Sequence, residues 1–357
     1  MPTPREIYLR RLETVRERLG SIPADGLYAT PSSNLYYLTG IDFHRSERLT
    51  ALFLFPDKAP VVICPAFEEA RLRGMSAVAD VVTWQETEDP WAKAAALFPG
   101  RAGTLAVEPS TAYDDVERLL NARTGWKPVS AAGLFSALRM IKTPDELEMM
   151  RRAIAVALPR FQKAFASLRP GALESDISAA FGGENVVQFG PSSAFPHGAS
   201  GPTPLAKNQA VLIDAWDKPD GYYYDITRST WFGAPTDEYR KVWSIVLEAQ
   251  GAAIDRAAPG VPCSEVDAAA RRVIEKAGYG EYFTHRLGHG LGIDVHEPPY
   301  MVGHDRTVLE PGMTFTSEPG IYLPGRFGVR IEDDVVCTER GAESLSPRVE
   351  RLEPLPA

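Results

Sequence analysis

The sequence predicts an α/β domain to about residue 133 and an α+β domain over residues 134–357. Three observations carry that reading. The chain has 357 residues, and about 150 per domain is the usual scale. Its first part alternates short apolar runs with charged or small-residue stretches, as strands interleaved with helices do. Its second part opens on a helix-start signal, Thr143-Pro144-Asp145-Glu146, and continues with apolar stretches that hold single carboxylates inside them.

Taken in order, Thr3-Pro4-Arg5-Glu6 is a capping box with proline at the first helical position, so an amphipathic helix should run to about Leu19. The runs "GLYAT", "NLYYLTG", "TALFLF", "PVVIC", "DVVTW" and "TLAVEP" read as strands, with stretches such as "FEEARLRGMSA" between them. The second capping box starts a long helix through "ELEMMRRAIAVALPRFQKAFASL". Two more helices are expected, "TDEYRKVWSIVLEAQGAAIDRA" and "SEVDAAARRVIEKAG", the latter closed by Gly278. "AVLIDAW", "YYYDITRSTWF", "MTFTSEPGIYL" and "GVRIEDDVVCT" read as strands.

Composition excludes several classes. Hydrophobic residues make up 44% and charged residues 24% of the chain, ordinary for a globular protein with a large core. The net charge of −9 argues against a nucleic-acid surface, which carries a basic face. Cys64, Cys263 and Cys337 are far apart with no CxxC pair, which fits buried thiols in a reducing compartment. The N-terminal stretch lacks a signal-peptide core and no 18-residue apolar run occurs, so a cytoplasmic protein without membrane contact is expected.

"HRLGHGLGIDVHE" holds three of the six histidines. On a helix, His285 and His289 would share one face. Gly288, Gly290 and Gly292 oppose a helix, each costing about 1 kcal/mol relative to alanine. A loop or strand edge fits better, and the spacing alone does not make the two histidines co-ligands. Asp214 and Asp225, with "DKPDG" between them, suit two strands joined by a tight turn, both carboxylates on one side. Buried carboxylates so placed repel unless a cation sits between them; a turn aspartate plus a surface aspartate is the competing account. Glu318 and Glu332 suit a hairpin through "LPGRFG", against a Pro-Gly turn residue and a strand-end charge paired with Arg330. Together two aspartates, two glutamates and one histidine form an oxygen-rich donor set whose four negative charges balance two divalent ions. Such hard ligands favour manganese, with zinc, cobalt or iron also admitted.

The blocks "LRMIKTPDELEMMRRA", "FGPSSAFPHG", "LIDAWDKPDGYYYDITRSTWFG", "HRLGHGLGIDVHE" and "LEPGMTFTSEPGIYLPGRFGVRIEDD" resemble, in order, those of the pita-bread metallopeptidases. That family comprises methionine aminopeptidase, aminopeptidase P and prolidase. The resemblance covers nearly the whole chain and is most specific from about Arg139 to Arg340. It implies a creatinase-like N-terminal domain over residues 1–133 and a pita-bread (creatinase/methionine aminopeptidase-like) catalytic domain over 134–357. It further implies that Asp214, Asp225, His289, Glu318 and Glu332 hold two divalent ions, with Asp225 and Glu332 bridging. Glu318 would also shuttle the proton from water to the leaving nitrogen. His197 and His296 would line the substrate pocket and hold the scissile carbonyl or its oxyanion. Tyr322 and Arg330 match positions near the metals, where Arg330 orients Glu332 or substrate, or serves as a structural ion pair. His285 would sit farther out or be a satisfied structural histidine, and His44 and His304, without motif support, read as surface or loop residues.

The implied partners are proline-containing di- or oligopeptides and a second copy of the chain. The first expectation is an Xaa-Pro dipeptidase; the second is aminopeptidase P acting on longer peptides. A metal-free creatinase-like or binding relative would lack a ligand, and all five are present. The extra N-terminal domain disfavours methionine aminopeptidase. Two departures stand out. Trp216 replaces a glycine usual two residues after the first aspartate. The interval "PPYMVGHDRTV" holds only Arg306, where prolidases carry an arginine for the dipeptide's carboxylate. Arg45, in a stretch "TGIDFHRSERLT" expected to join two strands, is the proposed replacement, preferred over Arg48.

Overall fold

The computed structural model describes residues 4–20, 22–76 and 78–357. The chain divides into two units, Met1–Leu138 and Arg139–Ala357. The first helix spans Pro4–Leu19; its expected cap, Thr3, lies outside the described residues.

In the N-terminal unit, the described residues form one six-stranded sheet. Its strands are β1 (Gly26–Ala29), β2 (Ala51–Leu54), β3 (Val61–Pro65), β4 (Asp80–Trp84), β5 (Gly103–Val107) and β6 (Trp126–Ser130). The order is β4-β3-β2-β1-β5-β6, antiparallel at β1–β2 and β2–β3 and parallel at the other pairs. Tyr28, Phe53, Phe55, Phe98 and Trp126 form an aromatic core on it. Phe98 and Trp126 meet edge to face with centroids 4.7 Å apart, a favoured geometry for aromatic pairs.

One expected strand is a helix. "NLYYLTG" lies in the helix Ser33–Thr39, because both of its ends are capped locally. The Ser32 hydroxyl accepts from Leu35 N at 3.2 Å, and Gly40, at φ 76°, donates its N–H to Tyr36 O. The stretch around Arg45 therefore links a helix to β2.

In the second unit the capping box is present, with Glu146 N donating to Thr143 Oγ1 at 3.3 Å and Thr143 N to Glu146 Oε2 at 2.7 Å. It starts the helix Pro144–Ser167. Strands β7 (Glu184–Phe189), β8 (Gln209–Asp217) and β9 (Tyr224–Phe232) form an antiparallel sheet. Ile154, Ala157 and Phe161 of that helix share a core with Val187, Ile213 and Ile226. The helices Asp237–Arg256 and Cys263–Lys276 follow, and Gly278, at φ 85°, comes two residues after the second.

The remaining strands are β10 (Gly288–Gly290), β11 (Glu297–Met301), β12 (Thr314–Ser317), β13 (Gly320–Leu323), β14 (Phe327–Arg330), β15 (Asp333–Thr338) and β16 (Gly341–Ser344). Among the described residues β11-β10-β12-β15-β16 make one sheet, and β13 and β14 a separate hairpin. Val246, Ala253, Val266 and Ala270 of the two helices share a core with Phe315 and Val335 of the sheet. The stretches expected as single strands thus break in two. The chain changes sheet at Glu318-Pro319 and at Ile331-Glu332, where two of the candidate carboxylates lie.

Candidate metal centre

Strand geometry gathers the carboxylates. Asp214 of β8 stands opposite Thr227 of β9, and Asp225 lies two residues earlier on the same face. Ile213 and Ala215 take the other face and enter the core. Ser317 pairs with Asp333, and Gly320 with Arg330, so Glu318 and Glu332 face one another where the two ladders meet. His289 is the middle residue of β10. A Cβ at Gly288 would collide with the Thr316 carbonyl oxygen, and one at Gly290 with those of Glu297 and Pro298. The glycines that spoil a helix here let β10 lie tight between β11 and β12.

Donor atoms of Asp225, His289 and Glu332 lie within 4.8 Å of one another. His289 Nε2 is 3.3 Å from Glu318 Oε1 and 3.6 Å from Asp225 Oδ2. Thr227 Oγ1 lies 2.9 Å from Asp214 Oδ1 and 2.5 Å from Glu332 Oε2. All five expected ligands line one cavity of about 520 Å³, together with Pro196, His197, Trp216, His285, Arg286, Val295, His296 and Arg330.

Arg330, buried, donates to Asp214 Oδ2 at 2.6 Å, Thr227 Oγ1 at 2.9 Å, the Tyr322 phenol oxygen at 2.9 Å and the Pro196 carbonyl at 3.2 Å. Tyr322 is pushed up to about 12, by burial first, and so keeps its proton. The His285 Nδ1 lies 2.6 Å from the Arg286 carbonyl and must donate to it. Its Nε2, 2.9 Å from the Tyr322 oxygen, then accepts the phenol proton. His285 is thereby the far end of a chain that aims Arg330, and it takes no place among the clustered donors. The His296 ring stands perpendicular to that of His289, centroids 4.1 Å apart. Burial, His289 and Arg286 depress it to about 4, so it is neutral at physiological pH.

The donor set fits divalent cations. Burial raises the Asp225 and Glu332 carboxyls well above their ordinary values, and neighbouring carboxylates add to the rise. Burial raises Glu318 too, but His289 and Arg330 outweigh it and hold that carboxyl at about 2. Four acidic groups crowd around the Arg330 guanidinium, and further positive charge would relieve them.

Metal uptake should therefore release protons from Asp225 and Glu332. Affinity for Mn²⁺ should fall as pH falls, and calorimetry in two buffers of different ionisation heat should report the release; identical heats in both would refute it. The raised pair also contributes stability to the metal-free fold that is fully present below about pH 4 and is lost as pH rises through the raised values. Glu318, held low, contributes in the opposite sense.

Several residues escaped the sequence reading. Thr316 Oγ1 accepts from His289 N at 3.1 Å and donates to Glu318 Oε1 at 3.1 Å. Asp334 Oδ2 accepts from Asp225 N at 3.2 Å. Thr227 and Thr316 each lie two residues from a candidate ligand, so strand alternation was the available signal. His44 and His304 are exposed, and Arg306 donates to Ser264 Oγ. Arg45, also exposed, gives Nη2 to Asp115 Oδ2 at 3.1 Å, and Arg48 pairs with Glu47 and Glu86.

Residues 148–339 match the model of metallopeptidase family M24, and residues 11–141 that of the Creatinase/Prolidase N-terminal domain. The chain is 38% identical over 357 residues to the probable dipeptidase PepE of Mycobacterium bovis, covering 96% of this chain and 95% of the relative. It is 35% identical to the Xaa-Pro dipeptidase of Lactobacillus delbrueckii subsp. lactis, covering 93% and 95%. The crystal structure of a recombinant prolidase from Thermococcus sibiricus superposes with a TM-score of 0.90 at 33% identity, covering 97% of this chain and 98% of that one. The fold, the clustered donors and these likenesses agree: the chain belongs to metallopeptidase family M24, as a hydrolase with a creatinase-type N-terminal domain and a pita-bread catalytic domain.

Proposed function

We propose that this enzyme is an Xaa-Pro dipeptidase working with two divalent ions, manganese first. The observation that carries the reading is the convergence of Asp214, Asp225, His289, Glu318 and Glu332 on one cavity flanked by His197 and His296. Those five would hold the ions, with Asp225, His289 and Glu332 closest together. When bound, the pair supplies a Lewis acid for the scissile carbonyl and acidifies water. Glu318 takes the proton of the attacking water and delivers it to the proline nitrogen as the C–N bond breaks. His197 and His296 hold the carbonyl oxygen as negative charge develops there. Arg330 and Tyr322 orient Asp214 and the substrate. An Xaa-Pro bond has no N–H and carries a ring, and Pro196, Trp216 and Val295 offer apolar walls for it. The relative from Lactobacillus delbrueckii, named an Xaa-Pro dipeptidase, supports the substrate class. A homodimer and a cytoplasmic setting complete the proposal. Three buried free thiols suit a reducing compartment, and no helix among the described residues is long and apolar enough to cross a membrane.

Arg45 is proposed to grip the substrate's free carboxylate, exchanging Asp115 for it in a charge-assisted pair. The test measures Mn²⁺-dependent hydrolysis of an Xaa-Pro dipeptide, its C-terminal amide and an Xaa-Pro-Yaa peptide. The dipeptide should be the best substrate, and Arg45→Ala should cost it about 30-fold in kcat/KM while sparing the amide. Preference for the longer peptide would favour aminopeptidase P instead. Equal effects of Arg45→Ala on acid and amide would remove the grip.

A further inference from the structure

The loop that brings His296 to the cavity is clamped from outside it. Glu297, the next residue, begins β11 and pairs with Gly290, the residue after His289. Its side chain turns away from the cavity into a buried cluster. Lys142 Nζ donates to Glu297 Oε1 at 2.7 Å, and Arg139 Nη2 donates to Glu297 Oε2 and, at 2.7 Å, to Asp294 Oδ2. Asp294 N adds a bond to Glu297 Oε2 at 3.3 Å. The Lys142 side chain is 2% exposed and that of Glu297 5%. The lysine is itself fixed, since Lys142 N donates to Gly312 O at 2.8 Å and Ile141 bridges to Met313. A Cβ at Gly292 would lie 2.7 Å from Glu297 Oε1 and 3.0 Å from the Lys142 Cε, so the loop closes over the ion pair without a side chain between.

We propose that Lys142, with Arg139, is a positioning residue for His296: the two cations hold the Glu297 carboxylate and thereby set where the Asp294–Glu297 loop presents the imidazole. The inference rests on the role given above to His296. A buried ion pair adds little net stability against an apolar pair of equal volume, but it selects one geometry, because every other leaves a buried charge unpaired. Here the geometry selected is that of a ring packed 4.1 Å from the His289 ring, centroid to centroid.

The test follows the His296 ring by histidine ¹³C-NMR in the zinc-loaded, full-length protein, its resonance assigned with His296→Ala. Lys142→Met should shift or broaden that resonance and lower kcat about tenfold or more, with KM and bound metal unchanged. Lys142→Arg should restore both readouts. Lys142→Met in the His296→Ala background should cost nothing further. An unmoved His296 resonance, or losses that multiply in the double variant, would overturn the proposal. If His296→Ala leaves turnover intact while Lys142→Met still moves the resonance, the catalytic reading of His296 fails and the clamp stands. Should Lys142→Met not fold, Glu297→Gln, which keeps the shape and removes the charge, is judged by the same resonance.

Discussion

Glu318→Gln should lower kcat by about 10²- to 10⁴-fold, the range for loss of a general acid–base group. In the metal-free cluster His289 and Arg330 hold the carboxyl at about 2 despite burial, so it is ionised there, and an ionised carboxylate can take a proton. An amide of the same shape cannot. Thr316 Oγ1, 3.1 Å from Glu318 Oε1, would still bond the amide oxygen, so the fold should be kept. His197→Ala and His296→Ala should also slow turnover while leaving metal content nearly intact, whereas His289→Ala should lose metal. Steady-state kinetics with elemental analysis on the same samples separates these outcomes. Metal loss in the His197 or His296 variant equal to that of His289→Ala would break the division between ligands and pocket histidines, and near-normal turnover by Glu318→Gln would remove its proton role.

The second large effect concerns stability. Arg330 is the guanidinium bonded within the acidic cluster, 4% exposed and satisfied by Asp214, Thr227, Tyr322 and Pro196. Removing one partner of a buried ion pair costs about 3–5 kcal/mol, because the other charge stays behind. Arg330→Met keeps much of the volume and leaves Asp214 uncompensated beside Glu332. The metal-free variant should melt roughly 10 °C below wild type. Saturating Mn²⁺ should narrow that gap, since bound ions replace part of the missing positive charge. Calorimetry of both proteins with and without metal decides. A gap that metal leaves untouched would mean that Arg330 acts through packing alone.

The carboxylates were legible because a charged residue inside an apolar strand is conspicuous, and the spacing of each pair matched a hairpin. The threonines that tie them together were not, since Thr227 and Thr316 are ordinary strand residues until their neighbours are known. Lys142 and Glu297 lie far apart in the chain, and nothing local to either announces the pair. Among the elements, β6 was missed because Lys127 and Pro128 interrupt its apolar pattern, as an edge strand tolerates. β10, three residues with glycine on either side of His289, reads from sequence only as a loop or strand edge. The helix Ser33–Thr39 differs for another reason: its apolar run reads as a strand, while Ser32 and Gly40 cap it as a helix.

The proposed donors come from β8, β9, β10 and the two points where the chain changes sheet, so no short segment owns the site. An unfolded chain offers the same side chains scattered across more than a hundred positions and cannot chelate with them. Ions held by those donors would bind the closed unit alone, and at a free concentration 100 times Kd they would add about 2.7 kcal/mol to its stability. Metal supply should then set how long this chain survives proteolysis as well as how fast it works. A scarcity of ions should show first as falling abundance of the protein.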